Sequence, residues 1–434
     1  MNRPTTWRYI CSLILISLTC INLQAQEQKK KEDKAPLFSA YSYIYVLMAN
    51  VYMLLQSRRN FLLFIIFFII LFSNYSIIYS NFIMRFDNTI FTDALSRSTT
   101  NISLNILALF NLLLFLFVKW DFILPNPSVN IFVKPENLER WNLLFLVVIL
   151  AIVFFFGFTP PEEEGQRGSP SPLYEYSLIF FALYFYYCGM KRIYLMVGLF
   201  MIVLYSLQNF VFGGRILGVQ FILCAYIMLL MHRVRMPIVV GGITVMFFLM
   251  SIIGVVRGEL LSGNFEVTSI LSSLVESGFA LDTAYSAYYT SESFVYILDK
   301  FSVQEVFVYF GEFVKSIFIG GDPDMHLTAI SHDYVVHYGG GLVPFYFYFY
   351  LGELGVLIAA CLVAFYVNLS IDIEDVSSGL KKCLAVWVAS TTFRWYLYSP
   401  IGLLRGVLFL VIAYYAFVFC AYMLNRMFGY ELSD

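Results

Sequence analysis

Long, nearly uninterrupted apolar segments recur along most of the chain, and short polar segments separate them. A membrane-spanning helix needs about 20 mostly apolar residues. By this criterion, twelve segments are predicted to cross a membrane: 8–25, 37–56, 61–83, 101–120, 142–158, 174–190, 193–212, 216–231, 237–256, 341–363, 383–399 and 402–424. Because these segments are continuously apolar and do not alternate with polar residues, they predict helices and not the strands of a barrel.

Amino-acid composition narrows the class of protein further. The chain is 60% hydrophobic and only 13% charged, whereas soluble domains carry about 25% charged residues. This composition excludes an ordinary soluble protein. The net charge of −2 does not indicate a basic surface for binding nucleic acid. We therefore predict an all-α, polytopic helical membrane protein with about 11–12 transmembrane helices in a single integral membrane domain, residues 1–434.

Basic residues predict the orientation, because short cytoplasmic loops are enriched in lysine and arginine. Clusters on alternate loops fall on one face: Arg3 and Arg8, Arg58 and Arg59, Lys134 and Arg140, Lys191 and Arg192, Arg233 and Arg235, Lys381 and Lys382, and Arg426. Both termini are therefore predicted to be cytoplasmic, and the acidic segment 159–172 external. The lysines between residues 29 and 34 do not fit this alternation.

That exception adjoins the segment 1–35, which has three interpretations. Arg3 and Arg8 precede an apolar run, and the run ends in Leu23-Gln24-Ala25, as in a secretory signal peptide. Leu23 is larger than the residue favoured at that position of a cleavage site. The segment is thus a signal-like leader, leaving eleven spans, or a first span, or a stretch that precedes a later start of translation. All three leave the later spans in the same orientation.

One polar stretch, Gly258 to Gly340, is 83 residues long and is predicted to be a large periplasmic loop. It is too long for a simple connection. Within it, apolar residues of Val303 to Phe318 recur at helical spacing and predict an amphipathic helix at the membrane interface. Three of the four histidines of the chain lie in this stretch: His326, His332 and His337.

Arginines at external helix ends require a reason, because the positive-inside bias disfavours them. Arg215 follows Gly213-Gly214, Arg257 precedes Gly258, Arg394 lies twelve residues beyond Lys382 in its predicted helix, and Arg405 lies one turn inside the next. Four guanidiniums at one depth can bind an anionic headgroup, since the planar arginine fork donates paired hydrogen bonds to phosphate. The alternative is that each extends to lipid phosphate or pairs with a glutamate.

The histidines suggest a proton acceptor. Ser331-His332-Asp333-Tyr334 and His337-Tyr338-Gly339-Gly340-Gly341 stand just before a predicted span. Histidine accepts a proton near neutral pH, so either His332 or His337 is a candidate general base. The run Asp322-Pro323-Asp324-Met325-His326 contains metal-ligand side chains, but Gly320-Gly321-Asp322-Pro323 is typical of a turn. No metal site and no cofactor are predicted.

This arrangement resembles that of the Wzy-type oligosaccharide repeat-unit polymerases and the related O-antigen ligases. The resemblance covers roughly residues 190–410 and consists of many spans, a large late external loop, Gly213-Gly214-Arg215, Arg257-Gly258 and the block from His332 to Gly355. In this family, ligases tend to have asparagine after the histidine, whereas Asp333 follows here.

The resemblance implies a GT-C-like membrane glycosyltransferase in a bacterial inner membrane. Its expected reaction is metal-independent, inverting transfer of glycans carried on undecaprenyl pyrophosphate, at the periplasmic face. The expected partners are these lipid-linked glycans, the lipid bilayer and a chain-length regulator protein. Arg215 and Arg257 match the family's functional arginines and His332 its proposed base, while His337 remains the alternative.

Two other functions compete with a polymerase. An O-antigen ligase would use the same donor but would transfer the glycan to lipid A core. A lipid-linked oligosaccharide flippase would show two related halves, interrupted helices and charges at the bilayer midplane. The polymerase is favoured.

The orientation can be tested with topology reporters. We expect reporters fused near Gly263 and Asp299 to be external, and those at Arg235 and Glu374 to be cytoplasmic, because basic loops stay on the cytoplasmic side. Accessibility labelling of each fusion measures this. A cytoplasmic signal at Gly263 and Asp299 would contradict the orientation and the periplasmic location of the loop.

Overall fold

The computed structural model of the chain describes residues 37–58, 60–80, 97–120, 139–161, 168–189, 191–230, 236–262, 267–276, 278–371 and 379–428. Regular structure in these ranges is helical except for an antiparallel pair of two-residue strands, β1 (Phe158–Thr159) and β2 (Ser169–Pro170). The predicted all-α class is confirmed. The predicted segment 1–35 lies outside the described residues.

The helices follow the predicted apolar segments closely. In chain order they are α1 (Leu37–Ser57), α2 (Phe61–Ile78), α3 (Arg97–Phe117), α4 (Arg140–Phe156), α5 (Pro172–Glu175), α6 (Leu178–Tyr187), α7 (Arg192–Val211), α8 (Arg215–Ala225), α9 (Met236–Ser262), α10 (Val267–Glu276), α11 (Asp282–Ile297), α12 (Val303–Phe318), α13 (Leu327–His332), α14 (Val343–Ile371), α15 (Gly379–Ser390), α16 (Thr392–Leu397) and α17 (Pro400–Phe428). A π-helical turn, Tyr226–Leu230, continues α8.

Six of the described helices are long and apolar enough to cross a membrane. Their apolar stretches are Phe61–Ile78, Thr99–Phe117, Arg192–Val211, Ile238–Val256, Val343–Leu369 and Pro400–Leu424. Shorter apolar helices are Arg140–Phe156, Leu178–Tyr187 and Arg215–Leu230. The chain is therefore a membrane protein of the all-α class, and the predicted count of 11–12 spans remains a prediction.

Burial separates central from peripheral helices. α2 is apolar on every side and most of its residues are buried, as expected for a helix surrounded by other helices. In contrast, α17 exposes large apolar side chains such as Ile412 and Phe419. Such a face suits lipid contact. Packing pairs α3 with α1 and α14, α4 with α6, and α7 with α8.

The stretch predicted as a large loop is largely helical. α9 extends six residues beyond the predicted end of its span, and α10 to α13 follow. α11 packs against α2, α3 and α14, so this part of the chain is built into the helical body. The predicted helix Val303–Phe318 is confirmed as α12, and Ser302 with Glu305 forms a capping box at its start. Its interfacial position remains a prediction.

Two long predicted helices are interrupted. α15 ends at Ser390 and α16 begins at Thr392, so the predicted span 383–399 is broken at Thr391. In α14, Gly352 has φ 60° and ψ −143°, a conformation that only glycine adopts readily. At each of these positions one helical piece ends and another begins.

Candidate functional site

A partly open cavity of about 360 Å³ collects charged side chains from distant parts of the chain. Its described lining comes from β2, α5, the turn between α7 and α8, the start of α11, and the region where α16 meets α17. The charged residues in that lining are Glu175, Arg215, Arg394 and Arg405. Glu175 pairs with Arg394 and Asp282 with Arg215, so these five groups together carry a net charge of +1.

Arg215 is the first residue of α8 and is only 6% exposed. Its Nη2 donates to both carboxylate oxygens of Asp282, at 2.7 and 3.0 Å, and its Nη1 donates to the Met250 carbonyl at 3.0 Å. A buried guanidinium requires such partners, because an unpaired buried charge costs several kcal/mol. Arg215 thus joins α8 to α9 and α11.

The approach of Arg215 to α9 depends on Gly254. A Cβ atom at Gly254 would overlap Nη1 of Arg215. Gly254 lies one turn after Met250, whose carbonyl Nη1 reaches. The absence of a side chain at position 254 therefore gives the guanidinium access to the helix backbone.

Arg394 lies in α16 and forms an ion pair with Glu175 of α5. Their side chains are 23% and 29% exposed, so both are accessible from the cavity. The sequence predicts Arg394 in an unbroken helix that continues from Lys382. Because the helix is broken at Thr391, Arg394 instead lies in a separate short helix.

Arg405 lies in the second turn of α17 and donates to the Ser316 carbonyl in the last turn of α12. Carbonyls at a helix C-terminus lack partners within the helix and favour cations. The Nε atom of Arg405 is buried and has no hydrogen-bond partner among the residues the structure describes.

The structure therefore brings three of the four predicted arginines, Arg215, Arg394 and Arg405, to one cavity. Arg257 lies in the last turns of α9, and its side chain is outside the described part of the chain. Its proposed role stays a prediction.

Both ring nitrogens of His337 are engaged by hydrogen bonds within the fold. It is 5% exposed, its Nδ1 accepts the Gly339 backbone N–H at 3.1 Å, and its Nε2 lies 2.7 Å from Oγ of Ser331. The Ser331 hydroxyl donates to the Thr328 carbonyl at 3.2 Å, so Nε2 is the donor in the His337 pair. This assigns a neutral imidazole with both nitrogens engaged. Burial, and next the nearby His332, lower the pKa of His337 to about 4.

His332 is exposed at the end of α13 and accepts the backbone N–H of His337 on Nδ1 at 3.4 Å. Neither His332 nor His337 is among the described residues that line the cavity. The histidine in the lining is His326, which precedes α13. In the sequence, His326 is notable only as part of the run 322–326 with metal-ligand side chains. Only the spatial neighbours of His326 distinguish it from the other two.

Asp322 supports the turn interpretation of that run. Its Oδ1 accepts the backbone N–H of Asp324 at 3.1 Å and caps a 3₁₀ turn, Pro323–Met325. Within the described ranges, no group of three histidine, cysteine, aspartate or glutamate side chains is placed to hold a metal ion.

Taken together, the cavity is suited to bind an anion with several oxygen atoms. Arg394 and Arg405 lie in its lining, Arg215 is held there by Asp282 and the Met250 carbonyl, and Glu175 is the carboxylate that an incoming anion would replace at Arg394. Comparison of the chain with protein-family models, curated proteins and solved structures finds no match.

The space at Gly254 gives a testable consequence for stability. We expect Gly254→Ala to displace the Arg215 guanidinium and to lower the free energy of unfolding by about 1–3 kcal/mol, the usual cost of overpacking. Gly242→Ala is the matched control in the same helix, because a Cβ there meets nothing within 4 Å. It should be neutral, or stabilising by up to about 1 kcal/mol. Equal unfolding curves for the two detergent-solubilised variants would contradict this account of Arg215.

His337 predicts a pH dependence of stability. Its pKa is about 4 in the fold and about 6.5 unfolded, so below pH 6.5 the unfolded chain takes up a proton that the folded chain does not. Stability is then fully present above pH 6.5 and falls between pH 6.5 and 4, by about 3 kcal/mol. His337→Gln should remove this part of the pH dependence, measured by unfolding across that range. His332→Gln, at an exposed position, should keep most of it.

Proposed function

We propose that the chain polymerises oligosaccharide repeat units carried on undecaprenyl pyrophosphate, by inverting glycosyl transfer in a bacterial inner membrane. The proposal rests on one observation: Arg215, Arg394 and Arg405 line the same cavity of a membrane protein. A lipid-linked donor requires both properties at once, a membrane environment for its lipid and cations for its diphosphate.

The arginines suit the departure of a diphosphate leaving group. When the bond from the anomeric carbon to the phosphate oxygen breaks, negative charge develops on the diphosphate. Fixed guanidiniums stabilise that charge without reorganisation, and their bidentate hydrogen bonds orient the phosphate oxygens. Because the donor already carries its leaving group, the remaining requirement is alignment of the acceptor hydroxyl. Arginines alone can supply this positive charge, so the proposed reaction needs no metal ion.

The position of the cavity is consistent with the predicted orientation. The turn between α7 and α8 and the junction of α16 and α17 belong to the face that the basic loops predict to be external. The segment before α5 belongs to the same predicted face, and all three meet at the cavity. We propose that this face is periplasmic, where the lipid-linked glycans are extended.

A deletion strain distinguishes this function from its alternatives. Loss of a polymerase should leave single repeat units as caps on the lipid A core. Loss of an O-antigen ligase should instead accumulate free lipid-linked polymer, and loss of a flippase should leave single units on the cytoplasmic side. Glycan size analysis of the deletion strain, and of the strain complemented with the chain, provides the measurement.

The arginine site is tested with conservative variants. We expect Arg394→Lys and Arg405→Lys to bind undecaprenyl diphosphate about 10–100-fold more weakly and to lose chain extension, because lysine keeps the charge but loses the fork. Binding to the purified full-length protein and glycan length in cells are the two readouts. Arg426→Lys is the matched control, since Arg426 is exposed in the last turn of α17 and is not among the described lining residues.

Arg215→Lys should behave differently, because the Arg215 guanidinium is engaged by Asp282 and Met250. We expect it to lower stability as well as binding. Normal binding and extension in all three cavity variants at normal membrane abundance would exclude a diphosphate site at this cavity.

A further inference from the structure

The arginine cavity lies at the end of a helix that is long and apolar enough to cross a membrane. Its lining includes Ile401, Gly402 and Arg405 of α17, whose apolar stretch is Pro400–Leu424. Phospholipid headgroups surround the ends of such helices, and anionic phospholipids carry a phosphodiester with one negative charge. A partly open site with arginines at this level therefore meets membrane phosphates in excess over any lipid-linked donor.

Two carboxylates pair with the arginines of this cavity, and the first of them, Asp282, is fixed. Asp282 accepts hydrogen bonds from Nη2 of Arg215 on both of its oxygens and from the backbone N–H of Thr283 at 2.7 Å. Arg215 is 6% exposed, so separating the pair would leave a buried charge without its partner. Asp282 is not among the described residues that line the cavity.

The second carboxylate, Glu175, is accessible from the cavity. It is the only carboxylate among the described lining residues. The side chains of Glu175 and Arg394 are 29% and 23% exposed. If an anion takes its place at Arg394, the Glu175 carboxylate can turn toward solvent and stay hydrated. Of the two carboxylates, Glu175 is thus the one that a ligand can displace.

The backbone on both sides of Glu175 is held by its neighbours. Tyr174 is fully buried, and its hydroxyl group donates to Oε1 of Gln208 at 2.8 Å. The Tyr176 ring stacks on Trp387, with the ring centroids 5.9 Å apart. Displacement of Glu175 therefore requires rotation of one side chain, while the segment that carries it stays in place.

The charges of the paired groups set a threshold for this displacement. With both carboxylates in place, the three guanidiniums and two carboxylates carry a net charge of +1. When Glu175 turns away, the remaining four groups carry +2. A phosphodiester headgroup brings back only the one negative charge that Glu175 takes away. A diphosphate linked at both ends carries two negative charges and neutralises the four groups.

We propose that Glu175 is a specificity-determining residue that selects a lipid diphosphate over the phosphodiester headgroups of the surrounding membrane. It holds the Arg394 guanidinium until an anion with at least two negative charges displaces it. This rests on the proposed function, which supplies the lipid diphosphate. Selectivity arises because both anions must displace the same carboxylate, and only the more highly charged anion is attracted more strongly than the carboxylate is.

The test measures binding of radiolabelled undecaprenyl diphosphate to the purified full-length protein in two kinds of nanodisc. One contains only phosphatidylcholine, whose headgroup has no net charge. The other contains equal amounts of phosphatidylcholine and phosphatidylglycerol, whose headgroup carries one negative charge. For the wild type, we expect the two dissociation constants to agree within about twofold, because Glu175 keeps singly charged headgroups from Arg394.

Glu175→Gln removes the charge and keeps the size of the side chain. In phosphatidylcholine nanodiscs we expect it to bind undecaprenyl diphosphate about threefold to tenfold more tightly than the wild type, because the ligand no longer displaces a charged competitor. In the mixed nanodiscs this gain should be lost, since phosphatidylglycerol binds the unoccupied guanidinium. The ratio of the two dissociation constants should therefore be at least about threefold in this variant. Glu175→Ala should show the same ratio.

Glu312→Gln is the matched control. Glu312 pairs with Lys315 of α12 at 3.1 Å, its side chain is 21% exposed, and it is not among the described lining residues. The substitution removes the same charge from a pair of similar exposure, and both dissociation constants should stay within about twofold of wild type. A ratio that rises as far in Glu312→Gln as in Glu175→Gln would report a general effect of net charge and would overturn the proposal.

The outcomes distinguish this inference from the proposed function. If the wild-type protein does not bind undecaprenyl diphosphate, both are overturned. If it does, and phosphatidylglycerol weakens binding equally in the wild type and in both Glu175 variants, only the inference fails. Weaker binding by both Glu175 variants in phosphatidylcholine nanodiscs, with unfolding curves like that of the wild type, would also overturn the inference. The carboxylate would then support the ligand instead of competing with it.

Discussion

Burial of the Arg215 guanidinium is the constraint on which the candidate site depends. A charge that is 6% exposed is tolerated only when its donors are occupied. Asp282 and the Met250 carbonyl meet that demand and in doing so fix α8, α9 and α11 relative to one another. Arg394 pairs with Glu175, and Arg405 donates to the Ser316 carbonyl. The carboxylates of Asp282 and Glu175 thus hold two of the arginines in place and offset part of the positive charge that the three guanidiniums bring to the cavity.

Most helices could be predicted from the sequence, because lipid requires a long apolar segment wherever the chain crosses it. The interruptions at Thr391 and Gly352 could not be predicted in this way. Both positions lie within segments made mostly of apolar and aromatic residues, and the breaks depend on backbone conformation and packing. The helices α10, α11 and α13 could not be predicted either, because their composition is more polar than that of a membrane span. Their contacts come from the rest of the fold.

The residues of the candidate site also divide into those that the sequence predicts and those that only the fold reveals. Arg215, Arg394 and Arg405 were predictable because arginine at an external helix end is unfavourable without a role. Their partners Asp282 and Glu175 are ordinary acidic residues in the sequence, and only proximity gives them significance. For the histidines, motif and spacing favoured His332 and His337. The structure engages His337 with Ser331 and Gly339, and it places His326 at the cavity instead.

The glycine at position 352 has a mechanical consequence. Because Gly352 has non-helical φ and ψ angles, one backbone position joins the turns 343–351 to the rest of α14. Tyr346 and Tyr350 lie on these turns, and the Tyr346 hydroxyl donates to the Tyr398 carbonyl at 2.9 Å and to the Gly340 carbonyl at 3.4 Å. Both rings also pack on Phe313. A rotation at Gly352 would therefore move both rings together and would have to break these contacts.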